Sequence, residues 1–261
     1  MTPESVREAA GLLLEARRGR RTVPSFPDGM QPATAAEGYA IQDAFVEACG
    51  LDVAGWKIGC TAEDQQRFVG VSEPFSGRVF RQALAFSPVT ISAGAFSMCG
   101  IEGEFAFHMA ADLAPREQPR EVAEVAAAVA SLHPAVEIVD SRFDDWLATG
   151  GPRIIADNGC HGALVVGGEV RDWSGIDLAA APVRVDVDRR TRGEGTGARV
   201  LGHPLNALTW LVNHLSGRGL GLAAGDYVTT GTCTGITFVE AGNDVRVDFG
   251  GLGAIRINFE D

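Results

Sequence analysis

The chain has 261 residues, 46% of them hydrophobic and 21% charged, and a formal net charge of −12. So acidic a surface lacks the basic face that a nucleic acid or an anionic membrane needs, which excludes both as expected partners. Cys49, Cys60, Cys99, Cys160 and Cys233 are scattered and form no CxxC pair, so reduced thiols in a cytoplasmic protein are expected rather than a zinc cluster or disulfide framework. The start, Met1-Thr2-Pro3-Glu4, has no signal-peptide pattern, and no apolar run approaches the ~20 residues of a transmembrane helix.

In chain order, residues 3–18 read as an amphipathic helix ending in Arg17, Arg18, Arg20 and Arg21, a solvated C-terminus favourable to the helix dipole. Thr22 to Pro32 is proline-rich and reads as a linker. A second helix runs from Thr34 to Cys49, with Thr34 and Glu37 in capping-box spacing. Gly55-Trp56-Lys57-Ile58-Gly59 sets a lysine between apolar neighbours and paired glycines. An exposed lysine is the ordinary finding, but these flanks indicate a packed strand with close backbone approach. A lysine so placed can shift its pKa and move protons.

From about residue 85 strand signals dominate. Residues 101–107 and 134–140 are short runs of β-branched and aromatic residues. Between them, Val122, Val125, Val129 and Leu132 share a helical stripe, predicting a helix over 120–132 that stops before Pro134, with His133 at its end. Val183, Val185 and Val187 alternate with polar residues. So do Val245, Val247 and Phe249, then Ile255, Ile257 and Phe259, a predicted hairpin around Gly250-Gly251-Leu252-Gly253. Pro204 opens a helix with the stripe Leu205, Leu208, Leu211, Val212 and Leu215, and His203 before it reads as a capping residue. Thr230-Gly231-Thr232-Cys233-Thr234-Gly235 is a donor-rich turn after a strand, able to hold a carboxylate. The organisation expected is a helical, site-contributing region over 1–84 and a mostly β catalytic region over 85–261.

Three carboxylates carry the chemistry. In a strand, residues i and i+2 share a face, so Glu102 and Glu104 stand side by side, ~7 Å apart along the backbone. Glu137 lies among Ala135, Val136, Ile138 and Val139, where a carboxylate is costly to bury unless something positive neutralises it. Three oxygen donors and no thiolate suit Mg²⁺ or Mn²⁺ better than zinc. The same pattern also fits a solvated strand face with Glu137 paired to an arginine. No serine-hydrolase GxSxG elbow occurs, and Gly193-Glu194-Gly195-Thr196-Gly197 lacks the strand-to-helix setting of a dinucleotide site. Cys160 and His161 are adjacent and poorly placed to form a thiol–imidazole pair.

Several stretches in order resemble the fumarylacetoacetate hydrolase superfamily, in its 2-keto-4-pentenoate hydratase and 4-oxalocrotonate decarboxylase branch. They are Gly55–Thr61, Gly70-Val71 before Pro74 and Gly77, Glu102-Gly103-Glu104, Pro134–Arg142, Ala156-Asp157-Asn158, Leu201–Ala207 and Thr230–Gly235. The resemblance implies an α+β fold, mostly β: a mixed β-sandwich or roll with packed helices and a short helical N-terminal part. It implies a homo-oligomeric, Mg²⁺- or Mn²⁺-dependent lyase for small 2-keto acids, with Glu102, Glu104 and Glu137 as metal ligands and Lys57 as the active-site lysine. The expected reaction is addition of water to a 2-hydroxy-2,4-dienoate. Decarboxylation of a 2-keto diacid, C–C bond hydrolysis and a non-catalytic partner subunit are the alternatives. Beside a dication, Lys57 is expected to be neutral. Thr230, Thr232 and Thr234 are the expected substrate contacts. So are Phe75, where the branch often has Pro-Asp-Phe/Tyr-Gly, and Cys160 and His161, where it has small, serine-bearing residues.

Overall fold

A computed structural model describes residues 1–261. The chain forms two mixed sheets with helices packed around them. The strands are β1 (Val53–Gly59), β2 (Phe75–Phe80), β3 (Leu84–Phe86), β4 (Val89–Ser92), β5 (Gly100–Met109), β6 (Val129–Val139), β7 (His161–Val166), β8 (Pro182–Val187), β9 (Arg190–Thr196), β10 (Tyr227–Thr229), β11 (Thr237–Phe238), β12 (Asp244–Asp248) and β13 (Ala254–Glu260). The large sheet runs β2-β1-β10-β5-β6-β7-β3, with β11 on the end of β5; the small one runs β4-β13-β12-β8-β9. Strands from residues 53–80 therefore lie in the same sheet as those beyond residue 100.

Period-2 alternation assigns the faces. Ile101, Phe105 and Phe107 of β5 and Val136 and Ile138 of β6 point into the main core, where Val183, Val185, Val245, Val247, Ile255 and Ile257 of the small sheet meet them. Phe105 stacks edge-on against Phe249 at 5.5 Å. Fully buried side chains of this kind each contribute about 1.5–3 kcal/mol. The opposite face of β5 and β6 is left to Glu102, Glu104 and Glu137.

The helices are α1 (Pro3–Arg18), α2 (Ala35–Cys49), α3 (Glu63–Val69), α4 (Val122–Ala127), α5 (Gly151–Ala156) and α6 (Pro204–Gly217). Helix α1 starts at a Thr2–Ser5 capping box, and Thr34 caps α2 through the Glu37 N–H at 3.2 Å. His203 caps α6, its Nδ1 accepting from the Leu205 N–H at 3.0 Å. No helix is long and apolar enough to cross a membrane.

Three expectations are corrected. The helix predicted over 120–132 stops at Ala127, and Val129–Val139 is strand β6, hydrogen-bonded to β5 throughout. Valines spaced three and four apart serve either period, and pairing with β5 decides. His133 therefore lies within a strand, with Nε2 3.0 Å from Ser131 Oγ and its ring beside Tyr227. The Thr22–Pro32 stretch has no regular structure, yet it is no loose linker, because Val23 and Phe26 are buried and Phe26 packs edge-on against Phe143. Arg17 also departs from its solvated reading: it lies 5.3 Å over the Phe80 ring and donates to the His161 carbonyl at 3.3 Å.

Candidate active site and metal centre

Strand register assembles the acidic cluster. Glu102 is directly opposite Glu137 in the β5–β6 ladder, and Glu104 follows on the same face. One carboxylate oxygen from each lies within 4.8 Å of the others. Gly103 between them is required by close sheet packing: a Cβ there would stand 2.8 Å from the Val183 methyl and 3.2 Å from that of Val247. Lys57 reaches in from β1. Its Nζ lies 3.3 Å from Glu137 Oε2 and donates to the Gly159 carbonyl at 2.9 Å. Glu104 and Glu137 are fully buried, and Lys57 and Glu102 are nearly so. The solvated-face alternative does not hold, and Glu137 meets a lysine and a histidine rather than an arginine.

Three buried carboxylates face one ammonium, an excess of two negative charges when all three are ionised. Burial, then the Glu137 charge, pushes Glu104 up to about 8. Burial followed by Glu104 and Glu137 lifts Glu102 well above the ordinary carboxylate range, and burial lifts Glu137 as well. For Lys57, burial acts to lower the pKa, but Glu137, Glu102 and Glu104 outweigh it and raise it. Without an ion, the three carboxylates hold the proton on Lys57; the neutral amine expected from the sequence is argued for the site beside a dication, which would offset their charge. Glu104 Oε1 and Glu137 Oε2 have no hydrogen-bond partner. Unpaired buried carboxylate oxygens with this excess of negative charge fit a hard divalent cation.

The segment from Asp157 to His161, between α5 and β7, packs behind this cluster. Asn158, Gly159 and Cys160 have φ of +52°, +63° and +58°, three consecutive left-handed residues of which only the glycine is at ease. Surrounding bonds hold the segment in place. Asn158 bonds the Arg78 backbone twice, through Oδ1 at 2.7 Å and Nδ2 at 2.8 Å. Buried Arg142 pairs with Asp157 through Nε and donates to the Asp157 and His161 carbonyls at 2.6 and 3.2 Å. Breaking a buried pair strands the partner charge, so Arg142→Met should lower stability by about 3–5 kcal/mol. The check is a reduced urea midpoint at unchanged m-value.

A cavity of about 380 Å³ opens beside the cluster. Lys57, Glu102 and Thr232 are among its polar lining, and Phe75, Cys160, Phe68, Trp146 and Ile236 among its apolar lining. Of the residues expected at the substrate, Phe75, Cys160 and Thr232 face this cavity, whereas Thr230, Thr234 and His161 do not. The Thr230 and Thr234 hydroxyls donate to the backbone at Phe105 and Gly235. His161 is fully buried with Nδ1 2.9 Å from Glu137 Oε1. Burial, then the charges of Lys57, Arg17 and Arg142, keeps its ring neutral, so Nδ1–H donates to the carboxylate and Nε2 is left unpaired. Burial pushes the Cys60 and Cys160 thiols up to about 12, which makes neither a ready nucleophile. The sequence reading missed Phe68 and Trp146, which no local spacing singles out.

The signature of the fumarylacetoacetate (FAA) hydrolase C-terminal family matches residues 66–260. The chain belongs to this family. Within it, the chain is 32% identical to the 2-keto-4-pentenoate hydratase of Paraburkholderia xenovorans strain LB400, over 100% of this chain and 97% of that protein. It is 31% identical to the 2-hydroxyhexa-2,4-dienoate hydratase of Comamonas testosteroni, over 95% of each. Among solved structures, the 4-oxalocrotonate decarboxylase of Pseudomonas putida G7, complexed with magnesium and adipate, superposes with a TM-score of 0.92 at 26% identity, over 99% of this chain and 98% of that one.

Proposed function

We propose that this family member is a divalent-metal-dependent hydratase that adds water to a 2-hydroxy-2,4-dienoate and forms a 4-hydroxy-2-oxo acid. The buried triad Glu102, Glu104 and Glu137, with its excess of negative charge beside Lys57, carries the reading. These three residues would hold the ion, Mg²⁺ or Mn²⁺, which supplies Lewis acidity toward the 1-carboxylate and 2-oxygen of the substrate. Lys57 is held by Gly159 and Glu137 with the rest of its ammonium toward the cavity, which suits delivery of a proton to C5 of the dienol. As C5 takes that proton the 2-hydroxyl gives up its own, leaving a 3,4-unsaturated 2-oxo acid that is electrophilic at C4; the oxygen of water adds there, and the proton the water releases goes to C3. Thr232, Phe75 and Cys160 are the proposed substrate contacts. Thr232 Oγ accepts from the Gly235 N–H at 2.9 Å, and its hydroxyl also bonds the Glu102 carboxylate, which sets it at the polar lining of the cavity.

The cavity favours hydration over decarboxylation of a diacid. Apart from Lys57, the charged residues on its wall are Glu102 and Asp64, both acidic. Arg199 near Asp64 is already paired to it at 2.9 Å. The second carboxylate of a diacid would meet Asp64 and apolar walls. With Mg²⁺, turnover of 2-hydroxypenta-2,4-dienoate should exceed that of 4-oxalocrotonate by about 100-fold or more in kcat/KM, and EDTA should abolish it. Ultraviolet absorbance follows both reactions. Faster consumption of 4-oxalocrotonate with release of CO₂ would replace the hydratase reading by the decarboxylase one.

A further inference from the structure

We infer that His161 is a positioning residue for the metal centre, selecting which oxygen of Glu137 faces the ion. The inference rests on the reading of Glu102, Glu104 and Glu137 as a metal site. Glu137 has two oxygens with different surroundings. Oε1 accepts from His161 Nδ1 at 2.9 Å. Oε2 lies 3.3 Å from Lys57 Nζ, without hydrogen-bond alignment, and otherwise has no partner. The histidine thus occupies one oxygen and leaves the other free toward the cluster. A carboxylate held at one oxygen cannot turn about its terminal bond without losing that bond, which keeps the second oxygen in place for a cation.

His161 is itself immobilised from three directions. Its side chain is fully buried. Its carbonyl accepts from Arg142 at 3.2 Å and from Arg17 of α1 at 3.3 Å. Upstream of it lie the three left-handed residues, whose Gly159 carbonyl receives Lys57. One backbone segment thereby fixes both the lysine and the inner glutamate, and Arg17 ties it to the N-terminal helix. His161 Nε2 is buried without a partner. A histidine needed only to fill space would be replaced by an apolar residue at no loss of hydrogen bonds other than the one to Glu137, so that bond accounts for its presence.

Mg²⁺ titration of metal-stripped protein by calorimetry tests the role, with thermal melts of the same samples. His161→Leu keeps much of the volume and removes the donor. His161→Asn places an amide N–H close to the position of Nδ1, whereas His161→Gln carries its amide too far. Mg²⁺ affinity should fall about 10- to 100-fold in His161→Leu and His161→Gln and return to within about threefold of wild type in His161→Asn. A Leu variant that binds Mg²⁺ like the wild type overturns the inference, as does an Asn variant as weak as Gln. If the Leu variant fails to fold, the Asn–Gln comparison decides. Absence of Mg²⁺ binding in the wild type overturns the metal reading and this inference together, while normal wild-type binding with unaffected variants removes only the positioning role.

Discussion

Lys57→Met should lower kcat by about 10²–10⁴-fold, the range associated with loss of a positioned proton donor or acceptor, while the fold and Mg²⁺ binding survive. Methionine keeps the unbranched apolar stem that runs past Gly159 toward the Phe75 ring, whose centroid is 5.5 Å from Nζ. It cannot donate to Gly159 or protonate carbon. Because the Lys57 ammonium stands 3.3 Å from Glu137 Oε2, it competes with a cation for that oxygen. Removing it should therefore leave Mg²⁺ affinity equal or higher, and KM should move much less than kcat. Near-normal kcat would reject the proton-transfer role. Lost Mg²⁺ binding would make the lysine a counter-charge that holds the carboxylates together. Steady-state kinetics and calorimetry on the same preparation separate these results.

Glu104→Gln should remove activity by removing the ion. The substitution is nearly isosteric, and the amide oxygen can still accept from the Gly231 N–H, now 2.9 Å from Glu104 Oε2. What disappears is one full charge at the centre of the cluster. Unit charges 4 Å apart exchange ~4 kcal/mol at an effective dielectric constant of 20, so Mg²⁺ affinity should fall by about 10³-fold or more. Stability in the absence of Mg²⁺ should rise, most toward and above pH 8, because burial and the Glu137 charge oppose ionisation of Glu104 and a neutral amide avoids that cost. Thermal melts with and without Mg²⁺ read this directly: the wild type should gain stability from the ion and the variant should not. A variant still stabilised by Mg²⁺ would remove Glu104 from the ligand set.

The acidic cluster was legible because strand alternation is local. The spacing of Glu102 and Glu104 and the apolar surroundings of Glu137 place three carboxylates on one kind of face, and the resemblance adds their order along the chain. Lys57 stood out for the same reason, a charge among residues that pack. The Val122–Leu132 stretch was misread because its spacing serves a helix or a strand, and the β5 partners that decide, Met109 for Val129 and Phe107 for Leu132, lie 20 and 25 residues away in a different run. His161 was read as a neighbour of Cys160 and as a substrate contact. Its actual partner is 24 residues back on the adjacent strand, and no local pattern encodes that pairing. The bonds from Arg17 and Arg142 to the His161 carbonyl span 144 and 19 residues. Arg17 also sits in a basic run that resembles any solvated helix end. Phe68 and Trp146 gave no signal, since no local spacing shows that the fold brings them to one cavity wall.

The central claim is that Glu102, Glu104 and Glu137 form one divalent-cation site that prepares a 2-oxo acid for proton transfer by Lys57. Calorimetric titration of Mg²⁺ into metal-stripped wild-type protein tests it most directly. The account predicts saturable binding at one ion per chain, with 2-oxobutanoate, an unreactive 2-oxo acid, binding afterwards only to the Mg²⁺-loaded protein. Absence of saturable Mg²⁺ binding, or equal binding of 2-oxobutanoate with and without the ion, would contradict it.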